Sequence, residues 1–146
     1  MPTPPAHPVA AAAVWSDGQR FVTDGSSGHA AVLDADRQRN SAPGPMEMVL
    51  RCLCACSATD VVIILGKSRQ PFTAVEVQAE AERAPSPPEI FTRIHVRYII
   101  LGAGVERKAA ERAVMLSHTK YCSVMAMLAK SALISHELRL QPAVPA

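Results

Sequence analysis

The sequence has little net charge and no long uninterrupted apolar run. Fifteen basic residues against thirteen acidic ones leave its 146 residues with a formal charge of +2, too mild a balance to indicate nucleic-acid binding. No stretch reaches about 18 consecutive apolar residues, the length typical of a membrane-spanning helix. We therefore expect a protein that binds neither nucleic acid nor membrane, with a length that suits one compact domain.

The first residues also lack the features of an export signal. The start, MPTPPAHPVAAAAVW, has no positively charged segment and carries four prolines before Val9, which differs from a secretory signal peptide. The cytoplasm, where thiols stay reduced, is the expected compartment. Residues 1–11 are interpreted as a flexible Pro- and Ala-rich tail, and residues 12–142 as a single domain.

Cysteine is scarce, and its spacing does not fit a disulfide framework. The four cysteines are Cys52, Cys54, Cys56 and Cys122, and the first three alternate within one apolar segment. Structural zinc sites usually take cysteines spaced by two to four residues and held on turns. A metal centre built from the first three is therefore the weakest alternative, and we expect no metal or other cofactor.

Apolar periodicity predicts the order of the secondary-structure elements. Three short strands come first, with a hairpin at Asp17-Gly18. A long apolar helix over residues 45–67 follows, wrapped on nearly all sides. The remaining elements are two alternating strands, two helices and a final strand, over residues 73–83, 90–101, 102–118, 119–134 and 135–141. The two alternating strands place an acidic face beside a basic one, and the whole pattern predicts an α+β fold with antiparallel sheets.

Cys56 and Cys122 form a candidate reactive pair, although the pattern alone does not rank Cys56 above Cys52 and Cys54. Both lie on predicted helices, and Cys122 comes near a helix start, where the helix dipole can lower the pKa of a thiol. A thiolate attacks peroxides, whereas a neutral buried thiol packs as a small hydrophobic group. The residues alone leave both interpretations of the pair open.

Two separated segments resemble the signature motifs of the OsmC/Ohr family. PGPMEMVLRCLCACSATDVVIIL is similar to the family helix that holds a first reactive cysteine, and LSHTKYCSVMAML to the motif that holds the second. The similarity covers nearly the whole chain and is strongest to the YhfA-type branch. It implies a two-layer α+β fold, with antiparallel sheets packed around the long central helix. It also implies an intertwined homodimer with active sites at the interface.

The resemblance further implies a cysteine-based peroxidase that acts in oxidative-stress defence. Cys56 matches the peroxidatic cysteine, which attacks an organic hydroperoxide and becomes a sulfenic acid. Cys122 matches the resolving cysteine, which closes a disulfide with Cys56, and a dithiol or lipoyl-type reductant then reopens that disulfide. Glu47 and Arg37 are weaker candidates for the acid and the arginine that activate the family's cysteine.

One position departs from the pattern of the active peroxidases. These members carry a glutamate directly after the motif proline, where this chain has Met46. The alternative function is therefore a catalytically weak or inactive OsmC-like dimer that binds a small apolar ligand at the subunit interface. Methionine side chains suit such an adaptable apolar lining.

Overall fold

A computed structural model of the protein describes residues 9–142. The predicted tail over residues 1–11 thus lies mostly outside the described residues. Two compact units divide the chain after Val49. The single domain over residues 12–142 stays a prediction.

The first unit contains a three-stranded antiparallel sheet. Its strands are β1 (Ala11–Asp17), β2 (Arg20–Gly25) and β3 (Ala31–Asp34), in the order β1-β2-β3. The indole N–H of Trp15 donates to the carbonyl of Gly18 at 3.0 Å across the hairpin turn. The three predicted strands and the hairpin between the first two are confirmed.

The long helix α1 spans Pro45–Lys67, as the sequence predicts. Proline suits a first helical turn because its missing N–H would have no partner there. Glu47 lies in the same turn, where the helix dipole favours an acid, and Lys67 in the last turn, where it favours a base. Sequence signals at both ends therefore fix the bounds of this helix.

One stripe of α1 is buried, not nearly all of its surface. The buried residues recur every fourth position and are Leu53, Ser57, Val61 and Leu65. Val62 and Ile63 are 41% and 48% exposed, so the expectation of a helix wrapped on nearly all sides is wrong for a single chain. By length and composition α1 could also cross a membrane, a test that the core helix of a soluble protein passes as well.

The second unit contains a three-stranded sheet and a helical connection between the last two of its strands. Its elements are β4 (Ala74–Arg83), β5 (Phe91–Leu101), α2 (Arg107–Leu116), a π-helical turn (Ser117–Tyr121), α3 (Ser123–Leu128) and β6 (Leu133–Gln141). β5 lies in the middle and pairs antiparallel with β4. Glu80 faces His95 across this pair and Glu82 faces Arg93, which confirms the predicted contact of acidic and basic faces.

The prediction of antiparallel pairing is wrong for the third strand, since β6 runs parallel to β5. A parallel neighbour needs a long crossover connection, and here α2, the π turn and α3 provide it. The alternation of residues along β6 indicates a strand but carries no information about its direction. The direction follows from how the crossover packs.

The predicted helix over residues 119–134 is also wrong in extent. The chain instead forms the π turn over Ser117–Tyr121, becomes extended at Cys122 and makes the six-residue helix α3. β6 then begins at Leu133, two positions earlier than predicted. The residues of this segment favour a helix locally, but contacts of the π turn with distant residues interrupt that helix.

The core of the second unit lies between the inward face of β5 and the crossover helices. Alternate residues of β5 are buried, namely Ile94, Val96, Tyr98 and Ile100. The predicted apolar face of α2 is confirmed, since Ala110, Ala113, Val114 and Ser117 are all buried. Tyr98 and Ser117 are thus polar groups placed inside an apolar core.

Two glycines allow a matched test of this packing. A Cβ at Gly102 would lie 2.8 Å from the Cα of Phe72 and 2.9 Å from the Cγ2 of Val105, whereas a Cβ at Gly66 in α1 meets open space. We expect Gly102→Ala to lower the free energy of unfolding by about 1–3 kcal/mol. Gly66→Ala is expected to raise it by up to about 1 kcal/mol. Urea unfolding of both variants checks this, and equal effects would contradict it.

Candidate active site

The thiols of Cys56 and Cys122 come together in the second unit. Cys56 lies in the middle of α1 and is half-buried, with its Sγ 3.9 Å from the Oγ of Ser123. Cys122 is 3% exposed and lies between the π turn and α3. Each thiol shifts the pKa of the other, so the structure brings the two predicted residues close together.

The surroundings of Cys56 favour its thiolate form. Burial is the largest single influence and opposes the charge, but four hydrogen-bonding groups outweigh it. These are the backbone N–H of Val124, the thiol of Cys122, and the hydroxyl and N–H of Ser123. Together they lower the pKa of Cys56 below its ordinary value, which gives it the character of a nucleophilic thiol.

The surroundings of Cys122 favour its neutral form. Burial raises the pKa of this thiol to about 12, and the negative charges of Cys56 and Asp60 add to the effect. The N–H of Met125 donates to its Sγ at 3.3 Å and opposes the rise only in part. The sequence-based expectation of a lowered pKa at Cys122 is therefore wrong, because the amides at the start of α3 stabilise the Cys56 sulfur instead.

A buried chain of hydroxyl groups lies next to the thiol pair. The Oγ of Ser57 is 2.6 Å from the hydroxyl of Tyr98 and 2.8 Å from the Oγ of Ser117, which in turn donates to the Oδ2 of Asp60 at 2.9 Å. Burial raises the pKa of Tyr98 to about 12, so its hydroxyl stays a donor. We call these four residues the hydroxyl network.

Sequence reasoning missed the hydroxyl network as a unit. The bond from Ser117 to Asp60 joins two helical segments of the same chain. The available signal was serine at buried helical positions, since a buried hydroxyl requires a partner. The partners themselves are about 40 to 60 residues apart in sequence, beyond the reach of any local pattern.

Two histidines, His118 and His136, lie against each other with ring centroids 4.6 Å apart. Among residues 9–142, the buried Nδ1 of His118 has no hydrogen-bond partner. Burial, together with the charge of His136, lowers the pKa of His118. His118 is half-buried.

The other cysteines of α1 do not join the thiol pair. Cys52 is exposed, and Cys54 is half-buried with its pKa raised by that burial. Within residues 9–142, no three His, Cys, Asp or Glu side chains lie together as potential metal ligands. The alternative of a metal centre at Cys52, Cys54 and Cys56 therefore has no geometric support.

The weaker candidates Glu47 and Arg37 belong to the first unit. Glu47 is exposed in the first turn of α1, and Arg37 is exposed in the turn after β3. A role for either residue at Cys56 stays a prediction.

The two sheets, the long helix and the paired thiols define an α+β protein with a candidate thiol redox site. The family model described as OsmC-like protein matches residues 38–137. This span contains both cysteines and the hydroxyl network. The chain belongs to the OsmC-like protein family.

Known relatives agree with this assignment. The chain is 43% identical to Protein YhfA of Escherichia coli K12 over 122 residues, which cover 84% of this chain and 90% of YhfA. It is 31% identical to a hypothetical protein from Aquifex aeolicus, with a TM-score of 0.80 over 92% of this chain and 98% of that structure. An organic hydroperoxide resistance protein OsmC from Legionella pneumophila shares the fold, with 16% identity, a TM-score of 0.68, and coverage of 91% and 97%.

The unequal thiol pair predicts unequal alkylation. At neutral pH we expect iodoacetamide to modify Cys56 much faster than Cys122, because alkylation requires the thiolate. Cys122→Ala is expected to raise the pKa of Cys56, since the thiolate loses a hydrogen-bond donor. Rates of Cys56 modification against pH, followed by peptide mass spectrometry, give that pKa. Cys54→Ala is the matched control and should leave it unchanged; an unchanged pKa in Cys122→Ala would refute the assignment.

Proposed function

We propose that the protein is a thiol peroxidase that reduces organic hydroperoxides. The observation that carries this proposal is the proximity of a half-buried thiol of lowered pKa, Cys56, to a buried thiol of raised pKa, Cys122. Cys56 is suited to attack the hydroperoxide. Cys122 is suited to close a disulfide with the oxidised Cys56. Two members of the fold, from Legionella pneumophila and Bacillus subtilis, are described as organic hydroperoxide resistance proteins, which supports the same substrate class.

The first step uses Cys56. Its thiolate attacks the terminal oxygen of the hydroperoxide, the O–O bond breaks, and the alkoxide that leaves takes a proton to become an alcohol. The sulfur is oxidised to a sulfenic acid as the peroxide is reduced. The N–H groups of Ser123 and Val124 and the Ser123 hydroxyl, which stabilise the thiolate, prepare the sulfur for this attack.

The second step uses Cys122. Its sulfur attacks the sulfenic sulfur of Cys56, a disulfide forms, and the displaced hydroxide leaves as water with the thiol proton of Cys122. A dithiol of the dihydrolipoyl class then reduces the disulfide by exchange and is itself oxidised to a cyclic disulfide. The cytoplasm, where such reductants are kept reduced, suits this cycle.

We further propose that the active form is a homodimer with α1 at the interface. The most apolar 18-residue window of α1 has a mean hydropathy of 2.0. Only 22% of its residues are buried within one chain. Val62 and Ile63 are large exposed apolar side chains on consecutive positions. Covering this surface with a second copy removes it from water, a gain that scales with apolar area.

A second candidate function is the binding of a small apolar ligand without efficient catalysis. A cleft of about 880 Å³ lies beside α1 and α2, with Ile63, Ile64 and Leu116 in its lining. Volumes of this size are typical of sites for small molecules. Met46, in place of the glutamate of active peroxidases, also favours this candidate.

The peroxidase proposal predicts two different cysteine phenotypes. With cumene hydroperoxide and dihydrolipoate, Cys56→Ser should lower turnover by about three orders of magnitude or more. Cys122→Ser should also stop the cycle, but after one oxidation, so that Cys56 sulfenic acid accumulates and is trapped by dimedone. Cys52→Ser is the matched control on the same helix and should keep wild-type turnover.

These measurements also separate the two candidate functions. Turnover that vanishes only in the Cys56 and Cys122 variants supports the peroxidase. A wild-type protein that shows no turnover, and whose Cys56 stays reduced under peroxide, refutes it. Retention of an apolar compound by that protein, seen by native mass spectrometry, then supports the binding function.

The homodimer predicts a charge-sensitive surface on α1. Ile63→Asp would bury an unpaired carboxylate at the interface, which costs several kcal/mol, so the dimer dissociation constant should rise at least about 100-fold. Ser86→Asp adds the same charge in the exposed turn between β4 and β5 and should leave the constant unchanged. Analytical ultracentrifugation measures both, and a wild-type monomer would refute the interface.

A further inference from the structure

Ser117 joins the crossover to α1 from inside the core. Its side chain is fully buried, and its Oγ lies 2.8 Å from the Oγ of Ser57, 2.9 Å from the Oδ2 of Asp60 and 3.4 Å from the carbonyl oxygen of Ser57. Both partners belong to α1. A buried serine with this many partners is strongly constrained in position, because each lost hydrogen bond leaves an unsatisfied polar group.

The carboxylate of Asp60 gives the hydroxyl network one direction. An ionised carboxylate only accepts hydrogen bonds, so Ser117 donates to Asp60. Ser117 then accepts from Ser57, and Ser57 accepts from Tyr98. Each hydroxyl hydrogen points toward Asp60, and each hydroxyl is satisfied. Such a network has a single low-energy arrangement.

The hydroxyl network is connected to both reactive cysteines. Ser57 directly follows Cys56 in α1. Ser117 begins the π turn, and its carbonyl oxygen accepts the N–H of Cys122 at 3.0 Å. This is the five-residue hydrogen bond that defines a π turn, a feature that often marks functional sites. The buried hydrogen bond between Ser57 and Ser117 therefore links the backbone next to Cys56 with the turn that holds Cys122.

We propose that Ser117, held by Ser57 and Asp60, is a positioning residue that sets Cys122 for disulfide formation with Cys56. This rests on the proposed function only for its role in turnover. The disulfide itself needs a narrow geometry, with the two sulfurs about 2.05 Å apart and a dihedral angle near 90°. A Cys122 fixed at its N–H by an anchored turn reaches that geometry with a smaller loss of conformational freedom.

The same network keeps Cys122 in its resolving role. Burial is the main reason that its thiol stays protonated, and the charge of Asp60 adds to it. A protonated Cys122 carries the proton that leaves with the displaced hydroxide as water. Cys56-SOH and Cys122-SH thus give the disulfide and one water, with no other reactant.

A redox equilibrium tests the proposal without any peroxide. The fraction of the Cys56–Cys122 disulfide is measured by mass spectrometry in mixtures of reduced and oxidised dithiothreitol. We expect Ser117→Ala to lower the equilibrium constant for disulfide formation about tenfold, a rise of about 30 mV in the reduction potential. Thr119→Ala is the matched control, because it removes from the same turn a hydroxyl that donates to the carbonyl of Met115 and not to α1. Its potential should equal that of the wild type.

A kinetic measurement then separates positioning from general damage. After one equivalent of cumene hydroperoxide, Ser117→Ala should form Cys56 sulfenic acid at the wild-type rate. It should close the disulfide about tenfold more slowly, so that dimedone traps more sulfenic acid. An equal slowing of both steps would indicate a merely structural role and overturn the proposal. An unchanged potential and closing rate would overturn it as well.

A second variant keeps the test decisive if Ser117→Ala does not fold. Asp60→Asn retains a carbonyl acceptor for the Ser117 hydroxyl but removes the charge that orders the network. It should raise the reduction potential and slow closing in the same direction, and wild-type values would overturn the proposal. Failure of the proposed peroxidase function gives a different result, in which Cys56 resists peroxide while dithiothreitol still shows the shifted potential.

Discussion

The proximity of the two thiols is the constraint on which the electrostatics of the candidate site depend. Two neighbouring thiols cannot easily ionise together, because the first thiolate disfavours the second. Their unequal burial decides which one ionises. Cys56 is the less buried and gathers N–H and hydroxyl donors, whereas Cys122 is 3% exposed and faces the charge of Asp60. The division of the pair into one thiol of lowered pKa and one of raised pKa is thus a consequence of packing.

That packing depends in turn on the parallel crossover between β5 and β6. The crossover must leave the end of β5, cover the sheet and return to its edge, and this path brings Ser117 against α1. The central strand β5 also stabilises the contact of Ser117 with α1, since the Tyr98 hydroxyl hydrogen-bonds to Ser57. A sheet of antiparallel hairpins would need no such crossover. Without the crossover, the start of α3 would not be carried to Cys56.

The parts of the fold that could be predicted from sequence are those set by local periodicity and end signals. The bounds of α1, the alternation of β4 and β5 and the buried face of α2 are of this kind. The direction of β6 and the break in the helix at Cys122 could not be predicted, because both follow from contacts between distant residues such as Ser57 and Ser117. The pairing of the two cysteines came from family resemblance, and their relative pKa values required the burial seen in the structure.

Chemical identity alone does not select Cys56 among the three cysteines of α1. Successive residues of a helix are rotated by about 100°, so Cys54 points away from Cys56, and its own backbone N–H offsets the effect of burial only in part. Cys52 shares a face with Cys56, but it lies about 6 Å earlier along the axis, one turn from the level of Ser123. The N–H groups at the start of α3 can donate to only one sulfur of α1, the one at their own level along the helix axis. Which sulfur of this helix has the lowered pKa is therefore decided by where the crossover meets α1.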